Sequence, residues 1–211
     1  MEQAINDYIL QHIDPEGDYL KRLYRDAWVH LMNPRMSSGH LQGRLLKMLV
    51  EMIRPDNALE IGTFAGYSAL CIAEGLTGRG RLYTFEIDDE LEDFTRPWIE
   101  NSPVASRIEF IIGDALRLVP NLGVTFDFVF IDGDKRQYVD FYELALRHSS
   151  PGAFILADNT LWDGHVVEEA YLRDHQTRAI REFNAHVAAD SRAEKVILPL
   201  RDGLTIIRKK Q

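Results

Sequence analysis

The sequence predicts an α/β fold built on a doubly wound, mostly parallel sheet. From residue 58 onward, short segments rich in β-branched and aromatic residues alternate with segments of helical periodicity. This alternation is typical of parallel strands that crossover helices bury on both faces. The first 54 residues show mainly helical spacing, so we expect helices to precede the sheet.

The N-terminal helices are predicted from the spacing of apolar residues. Residues 2–13, 16–32 and 40–53 each repeat apolar side chains at helical intervals, for example Leu20, Leu23 and Ala27. The pair Asn33-Pro34 interrupts the second of these segments. We therefore expect three helices, with a break after the second.

Strands and helices then follow in alternation. The predicted strands are 58–62, 81–87, 108–113, 126–132 and 153–158. The predicted helices are 67–76, 89–101, 115–121, 138–148 and 174–189. Segments 196–200 and 204–210, joined by Arg201-Asp202-Gly203, predict a terminal hairpin that adds one antiparallel strand.

Length and composition narrow the class of protein. A chain of 211 residues predicts a single domain over 1–211, with 1–54 as a helical cover and 55–211 as the α/β core. The net charge of −9 is opposite to that of a general phosphate-backbone binder. The only cysteine, Cys71, lies in an apolar run and is predicted to be a buried, inert thiol. No apolar run approaches the ~20 residues of a membrane span, so we expect a cytoplasmic protein without membrane contact.

Carboxylates follow all five predicted parallel strands, at the edge where open α/β sheets bind their ligands. The first end carries a glycine turn, Gly62 to Gly66, with Glu60 before it. Its spacing is G-x-x-x-G and not the G-x-G-x-x-G of dinucleotide binding. The turn either lets a cationic, phosphate-free ligand approach the backbone or simply joins a strand to a helix.

Two further strand ends point to a nucleoside. Glu86 ends the second strand, where a carboxylate can accept both hydroxyls of a ribose. Asp114 and Ala115 follow the third strand and are placed to border an adenine, although Asp114 is equally typical of a solvated turn. The ribose contact alone does not distinguish NAD from S-adenosylmethionine.

The fourth and fifth strand ends predict a metal site. Asp132, Asp158 and Asn159 offer only oxygen ligands, which suits Mg²⁺, Mn²⁺ or Ca²⁺ rather than zinc. The alternative is that Asp158 and Asn159 cap the next segment. Lys135, three residues after Asp132, is either a general base kept neutral by the ion or a solvated loop lysine.

The motifs together resemble those of the cation-dependent O-methyltransferases of the catechol and caffeoyl-CoA type, including their small bacterial members. The resemblance rests on LEIGTFAGYSAL (59–70), FDFVFIDGDKRQY (126–138) and ADNTLWDGHV (157–166). The family commonly has D-A-D-K where this chain has Asp132-Gly133-Asp134-Lys135. The resemblance implies a Rossmann-like methyltransferase fold of seven strands, the last antiparallel, and commonly a homodimer.

The resemblance also implies roles for individual residues. Asp132, Asp158 and Asn159 would hold Mg²⁺ or a similar ion, and Lys135 would be the catalytic base. The residues implied to surround S-adenosylmethionine are Met36, Ser38, Glu60, Gly62, Ser68, Glu86, Asp114, Ala115 and Asp132. The implied reaction moves a methyl group from S-adenosylmethionine to a metal-bound hydroxyl of a catechol-like or other hydroxylated aromatic small molecule.

Three other functions are consistent with parts of the pattern. Some bacterial relatives methylate a hydroxylated uridine in tRNA, and the clusters Lys21-Arg22, Arg25 and Arg35 offer a local basic patch for such an acceptor. An NAD-dependent oxidoreductase is disfavoured by the missing dinucleotide fingerprint. A module that only binds S-adenosylmethionine would need neither Lys135 nor the oxygen ligands.

Overall fold

The computed structural model describes residues 2–211, with side chains described from Ala4 onward. Eight α-helices and seven β-strands follow in chain order within this range. They are α1 (Glu2–His12), α2 (Asp18–His30), α3 (Gly39–Ile53), β1 (Asn57–Ile61), α4 (Tyr67–Gly75), β2 (Arg81–Glu86), α5 (Glu92–Glu100), β3 (Ile108–Ile112), α6 (Ala115–Leu118), β4 (Phe126–Ile131), α7 (Tyr138–His148), β5 (Ser149–Ala157), α8 (His175–Ala189), β6 (Ala193–Leu198) and β7 (Leu204–Lys209).

The seven strands form one sheet in the order β3-β2-β1-β4-β5-β7-β6. The first five pair in parallel, and β7 runs antiparallel to both β5 and β6. This topology confirms the predicted fold, including the single reversed strand. The strand order reverses beside β1, between β2 and β4, and such a switch point opens a crevice at the carboxyl ends of the strands.

Helices cover both faces of the sheet, because each central strand is apolar on both sides. Leu59 of β1 packs into a cluster with Tyr142 of α7 and Phe183 of α8. Its neighbour Ala58 points to the opposite face, into a cluster with Leu46 of α3 and residues of α4. Alternation of neighbouring residues between two cores is the expected geometry of a strand buried on both sides.

The N-terminal helices were predicted correctly in position, and α2 also in its buried face. Leu20, Leu23 and Ala27 pack against Tyr67 and Leu70 of α4. The helix ends at His30, and the Asn33 that follows has a left-handed backbone with φ of 58°. Helix α1 leaves Tyr8 exposed, so its apolar spacing forms a helix without a matching core contact.

The terminal hairpin differs from the prediction in its turn. Strand β6 ends at Leu198 and β7 begins at Leu204, so five residues connect them and not three. Pro199 has no N–H to extend the ladder, and the Gly203 N–H instead bonds the Leu200 carbonyl oxygen at 2.9 Å. Strand β6 therefore ends two residues before the end of the apolar run from which it was predicted.

Strand β5 also begins earlier than predicted, at Ser149 instead of residue 153. It pairs with β4 at Phe126 and again from Phe128 onward, with a register shift between them. That irregularity accommodates Pro151 and Gly152, which are poor strand residues in the sequence pattern.

The structure also bears on the predictions for Cys71 and for membrane-spanning segments. Cys71 is buried, as predicted. Among the described residues, no helix is both long enough and apolar enough to cross a membrane.

Candidate functional site

A cavity of about 1340 Å³ lies along the carboxyl ends of the five parallel strands. Its other wall is the segment between α2 and α3, including Met32 and Arg35. Most of the predicted site residues line this cavity. They are Met36, Gly62, Glu86, Asp114, Ala115, Asp132, Lys135, Asp158 and Asn159.

Three residues that the resemblance implied as cofactor contacts do not line the cavity. Ser38, Glu60 and Ser68 are buried behind its wall. Glu60 faces Thr84 on the neighbouring strand, whose hydroxyl donates a hydrogen bond to Glu60 Oε2 at 2.5 Å. Burial raises the pKa of Glu60 to about 8, although hydroxyls of Ser68 and Thr84 act against it. The side chain is therefore mainly neutral at pH 7, and it supplies little charge to a ligand.

The turn after β1 brings two backbones into close contact. Gly62 has φ of +101°, and a Cβ atom there would lie 2.3 Å from the carbonyl oxygen of Asp132. Its N–H donates to the Phe85 carbonyl oxygen at 2.9 Å. Only glycine fits both the dihedral angle and the approach of β4, so the predicted glycine turn is a packing requirement at the cavity wall.

Glu86 is held in place by backbone groups. Its Oε2 accepts the N–H of Phe64 at 2.7 Å, and its Oε1 accepts the N–H of Asp88 at 3.0 Å. A carboxylate offers about four lone-pair positions, so each oxygen keeps capacity for a ligand hydroxyl. The geometry fits the predicted contact with a ribose.

Asp114 combines the two alternatives that the sequence left open. Its Oδ1 accepts the N–H of Leu116 at 2.9 Å and caps the short helix α6. Both Asp114 and Ala115 also border the cavity. A capping role and a place beside an adenine are therefore compatible.

The register of two strands places Asp132 and Asp158 next to each other. Ile131 of β4 is paired with Ala157 of β5, and each aspartate is the next residue along its strand. The Asp158 N–H donates to the Ile131 carbonyl oxygen at 3.0 Å. Burial, followed by the charge of Asp132, raises the pKa of Asp158 to about 6. Two carboxylates that repel each other in a buried site are an arrangement that a divalent cation stabilises.

Asn159 completes the predicted oxygen ligands. Its backbone is left-handed, with φ of 57°. Its amide Nδ2 lies 3.5 Å from Asp202 Oδ2, so the amide oxygen is left for a ligand. The three residues fit an oxygen-binding cation such as Mg²⁺ by donor type and by their common position at the cavity wall.

Lys135 is buried beside this group. Its Nζ donates to Asp132 Oδ1 at 2.8 Å and to the Tyr138 hydroxyl at 2.7 Å. Burial acts to lower the pKa of Lys135, but Asp132 and Tyr138 outweigh it and raise the pKa above its usual value. Without a cation the residue is an ammonium ion paired with Asp132, and not a solvated loop lysine.

A second acidic cluster lies on α7 and α8. Ligand atoms of Glu143, His186 and Asp190 come within 4.8 Å of one another. Arg192 pairs with both carboxylates, at 2.6 Å to Glu143 and 2.7 Å to Asp190. Since the Arg192 guanidinium already pairs with both carboxylates and His186 bonds Glu143 at 2.9 Å, the cluster is explained as an ion-pair network.

Comparison with known proteins identifies the family. The family model described as O-methyltransferase matches residues 11–210. The chain belongs to this family. Caffeoyl-CoA O-methyltransferase of Eucalyptus gunnii is 35% identical over 221 residues, covering 99% of this chain and 88% of that protein. The caffeoyl-CoA O-methyltransferase of Petroselinum crispum is 34% identical, covering 98% of this chain and 90% of that protein.

Solved structures of other O-methyltransferases share the fold. The Bacillus cereus O-methyltransferase in complex with SAH has a TM-score of 0.90 and 31% identity, covering 98% of this chain and 97% of that chain. TomG of Streptomyces achromogenes, in complex with SAM, has a TM-score of 0.88 and 26% identity, covering 99% and 96%. The family prediction is confirmed, whereas the acceptor and the cation dependence stay predictions.

The sequence analysis missed two residues near the metal ligands of this O-methyltransferase: Arg201, which lines the cavity, and Gln42, which is buried against Asp158. Gln42 lies on the apolar face of α3, four and eight residues before the buried Leu46 and Val50. A glutamine in register with core leucine and valine is a signal that the sequence does contain. Arg201 lies in the β6–β7 turn, and nothing in its local sequence indicates that it reaches Gln42.

Proposed function

We propose that this O-methyltransferase transfers a methyl group from S-adenosylmethionine to a hydroxyl of a small hydroxylated aromatic acceptor, with a divalent cation bound by Asp132, Asp158 and Asn159. One observation carries the proposal. A buried carboxylate pair, an amide oxygen and a lysine share one cavity with Glu86, the residue suited to a ribose.

The charge of the cavity wall suits a cationic methyl donor. Eight carboxylate residues and four lysine or arginine residues line the cavity. Glu86 would bind the ribose hydroxyls, while Asp114 and Ala115 would border the adenine. Cofactor contacts implied for Ser38, Glu60 and Ser68 would be indirect, because these side chains lie behind the wall. The sulfonium would then lie between Glu86 and the cation ligands.

When bound, S-adenosylmethionine supplies an electrophilic methyl group, and the divalent cation supplies positive charge that favours ionisation of an acceptor hydroxyl. An acceptor with two neighbouring hydroxyls would suit this site, because both of its oxygens could lie next to the cation held by the oxygen ligands. The size of the cavity leaves room for an aromatic ring beside Trp162 and Met36.

Lys135 would take the proton from the acceptor hydroxyl at Nζ. Its ammonium form depends on the charge of Asp132, which lies 2.8 Å away. If Asp132 shared its charge with a cation, that stabilisation would weaken, the pKa of Lys135 would fall, and Nζ would release its own proton to solvent before accepting one from the acceptor. The acceptor oxygen would then bond to the methyl carbon that S-adenosylmethionine supplies while the carbon–sulfur bond breaks, leaving S-adenosylhomocysteine. Holding both reactants in line can contribute roughly 7–11 kcal/mol to lowering the barrier.

A methyl-transfer assay tests the proposal. Purified protein would be incubated with labelled S-adenosylmethionine and either a panel of catechols or bulk tRNA, before and after treatment with EDTA. We expect transfer to catechols, loss of transfer with EDTA, and recovery with Mg²⁺ or Mn²⁺. Full activity in metal-free protein would overturn the role of the cation, and transfer to tRNA alone would overturn the small-molecule acceptor.

A further inference from the structure

Gln42 is a buried polar residue with no role in the methyl transfer proposed above. It lies in the first turn of α3, and its exposed fraction is 1%. Burying an amide without hydrogen bonds is unfavourable by several kcal/mol on transfer scales. The glutamine at this position is therefore explained by its hydrogen bonds and not by its helix propensity.

The amide of Gln42 bridges an anion and a cation. Its Nε2 donates to Asp158 Oδ2 at 2.6 Å, and its Oε1 accepts from Arg201 Nη1 at 2.8 Å. A carboxylate can only accept hydrogen bonds, and a guanidinium can only donate them. A neutral amide satisfies both partners, and its orientation is set by their chemistry.

Arg201 anchors the other end of the bridge. Its guanidinium also donates to the carbonyl oxygen of Ser38, so it holds the first turn of α3 to the β6–β7 turn. The residue has a left-handed backbone with φ of 50°, a conformation that is unfavourable for residues with a side chain. The next residue ties the turn to the segment after β5, because the Asp202 carbonyl oxygen accepts the N–H of Leu161 at 2.7 Å.

We propose that Gln42 and Arg201 are positioning residues for the cation site and that they act through Asp158. The Gln42 amide occupies one lone pair of Oδ2, and the Asn159 N–H occupies one of Oδ1 at 2.9 Å. Both contacts fix the plane of the carboxylate and direct its remaining lone pairs toward the cavity. This inference rests on the proposed function, since it assumes that Asp158 binds a divalent cation.

The proposal differs from a purely structural role in what it predicts. If Gln42 only held α3 against the sheet, substituting it would lower the stability of the protein and its affinity for every ligand together. Loss of the Gln42 amide as a positioning group would lower the cation affinity and leave the affinity for S-adenosylhomocysteine unchanged, because this amide bonds Asp158 and Arg201 and not Glu86 or the β1 turn. Removing a residue that hydrogen-bonds to a metal ligand typically weakens metal binding about 10- to 100-fold.

The test is Mn²⁺ binding, measured by electron paramagnetic resonance on the wild type and on Gln42→Met, which keeps the length of the side chain. We expect the variant to bind Mn²⁺ about 10-fold or more weakly, with an unchanged affinity for S-adenosylhomocysteine. Arg44→Met is the matched control on α3. It removes a hydrogen bond to the Pro15 carbonyl oxygen and should bind Mn²⁺ like the wild type.

A second variant keeps the test decisive if Gln42→Met does not fold. Arg201→Met removes the hydrogen bond to Gln42 together with the one to the Ser38 carbonyl oxygen. The loss of support for Gln42 should weaken Mn²⁺ binding about 3- to 10-fold. If the folded variants bound Mn²⁺ as tightly as the wild type, the positioning role of Gln42 and Arg201 would be overturned, but the proposed cation site would not. Parallel losses of Mn²⁺ affinity, S-adenosylhomocysteine affinity and stability would also overturn it in favour of a structural role. A wild type that binds no Mn²⁺ would overturn the proposed cation site and the inference together.

Discussion

The two halves of the cavity are built in different ways. At the ends of β1, β2 and β3, the site residues are held mainly by nearby segments. Glu86 and Asp114 each accept the N–H two residues ahead. At the ends of β4 and β5, Asp132 pairs with the nearby Lys135, whereas Asp158 is also held by distant segments. Asp158 depends on Gln42, which is 116 residues away in the chain, and Gln42 depends on Arg201, which is 159 residues from it.

This difference indicates which half tolerates change in the rest of the fold. A turn that supplies its own hydrogen bonds keeps its geometry as long as its strand is in place. A carboxylate held by a helix and a hairpin from elsewhere loses its geometry when either moves. We therefore expect remote substitutions to affect the half that holds Asp158 more than the half that holds Glu86.

The largest expected effect is that of Asp158→Asn, which removes one charge and keeps the shape of the side chain. We expect methyl transfer to fall about 1000-fold, since a lost cation ligand removes several kcal/mol of charge stabilisation. Its raised pKa makes the charged form of Asp158 unfavourable in the folded state above pH 6. Removing that charge should offset the lost hydrogen bond from Gln42, so the variant should be at least as stable as the wild type at pH 7.5. Urea unfolding without metal checks this, and a less stable variant would contradict the repulsion between the two aspartates.

Substitution of Lys135 tests the proton transfer. We expect Lys135→Met to lower kcat for catechol about 100-fold or more, the usual contribution of a general base. A nitro-substituted catechol ionises more readily and should show a smaller loss. The measurement compares kcat for the two acceptors, and equal losses would rule out Lys135 as the proton acceptor.

Gly62→Ala tests the contact between the two halves. The new Cβ would lie 2.3 Å from the Asp132 carbonyl oxygen, whereas a Cβ at Gly78, which also has positive φ, would meet nothing within 4 Å. We expect Gly78→Ala to lower the free energy of unfolding by about 1 kcal/mol and Gly62→Ala by about 3 kcal/mol, in the range of overpacking. Urea unfolding of both variants separates the close approach from the dihedral strain, and equal losses would contradict the contact.

Glu86→Gln tests the first half by itself. We expect KM for S-adenosylmethionine to rise about 10-fold, the effect of weakening a charge-assisted hydrogen bond, with little change in kcat. Asp89→Asn is the control, because it removes the same charge at an exposed site nearby. An equal effect of both substitutions would show general electrostatics in place of a ribose contact.

The smallest expected effect concerns Glu60. Its pKa is raised from 4.5 to about 8, so the unfolded chain releases the proton at lower pH than the folded protein, and stability falls as the pH rises between these values. Between pH 7 and pH 9, Glu60→Gln should gain about 1 kcal/mol relative to the wild type. Asp158 is already ionised in this window and adds little to the difference. A constant difference across the window would contradict the raised pKa.

The sequence predicted most of the fold because each of its signals is local. The apolar runs for the five parallel strands are confirmed, whereas the starts of β5 and β6 and the terminal turn are displaced. The Pro151-Gly152 pair in β5 is tolerated by a register shift between β4 and β5. Such a shift depends on the neighbouring strand, so the sequence of β5 alone could not show it.

The site could be predicted in part, for the same reason. The positions of Asp132, Asp158 and Glu86 at the cavity could be predicted because each lies at the end of a strand, and the end of a strand is visible in sequence. The burial of Glu60 was not foreseen, since the face on which its side chain lies depends on the packing of Thr84 and α4. The ammonium state of Lys135 likewise depends on its burial beside Asp132 and Tyr138, which the spacing of these residues in the sequence does not reveal.

Alternation of apolar strands with helices, the glycine turn at Gly62 and the acids at the strand ends determined the architecture and the family. Each of these is a property of a few consecutive residues. Only the tertiary structure decided that Gln42 and Arg201 meet at Asp158. Hydrogen bonds between segments more than 100 residues apart follow from how helices and hairpins pack on the sheet, and that packing is not encoded in any one stretch of the chain.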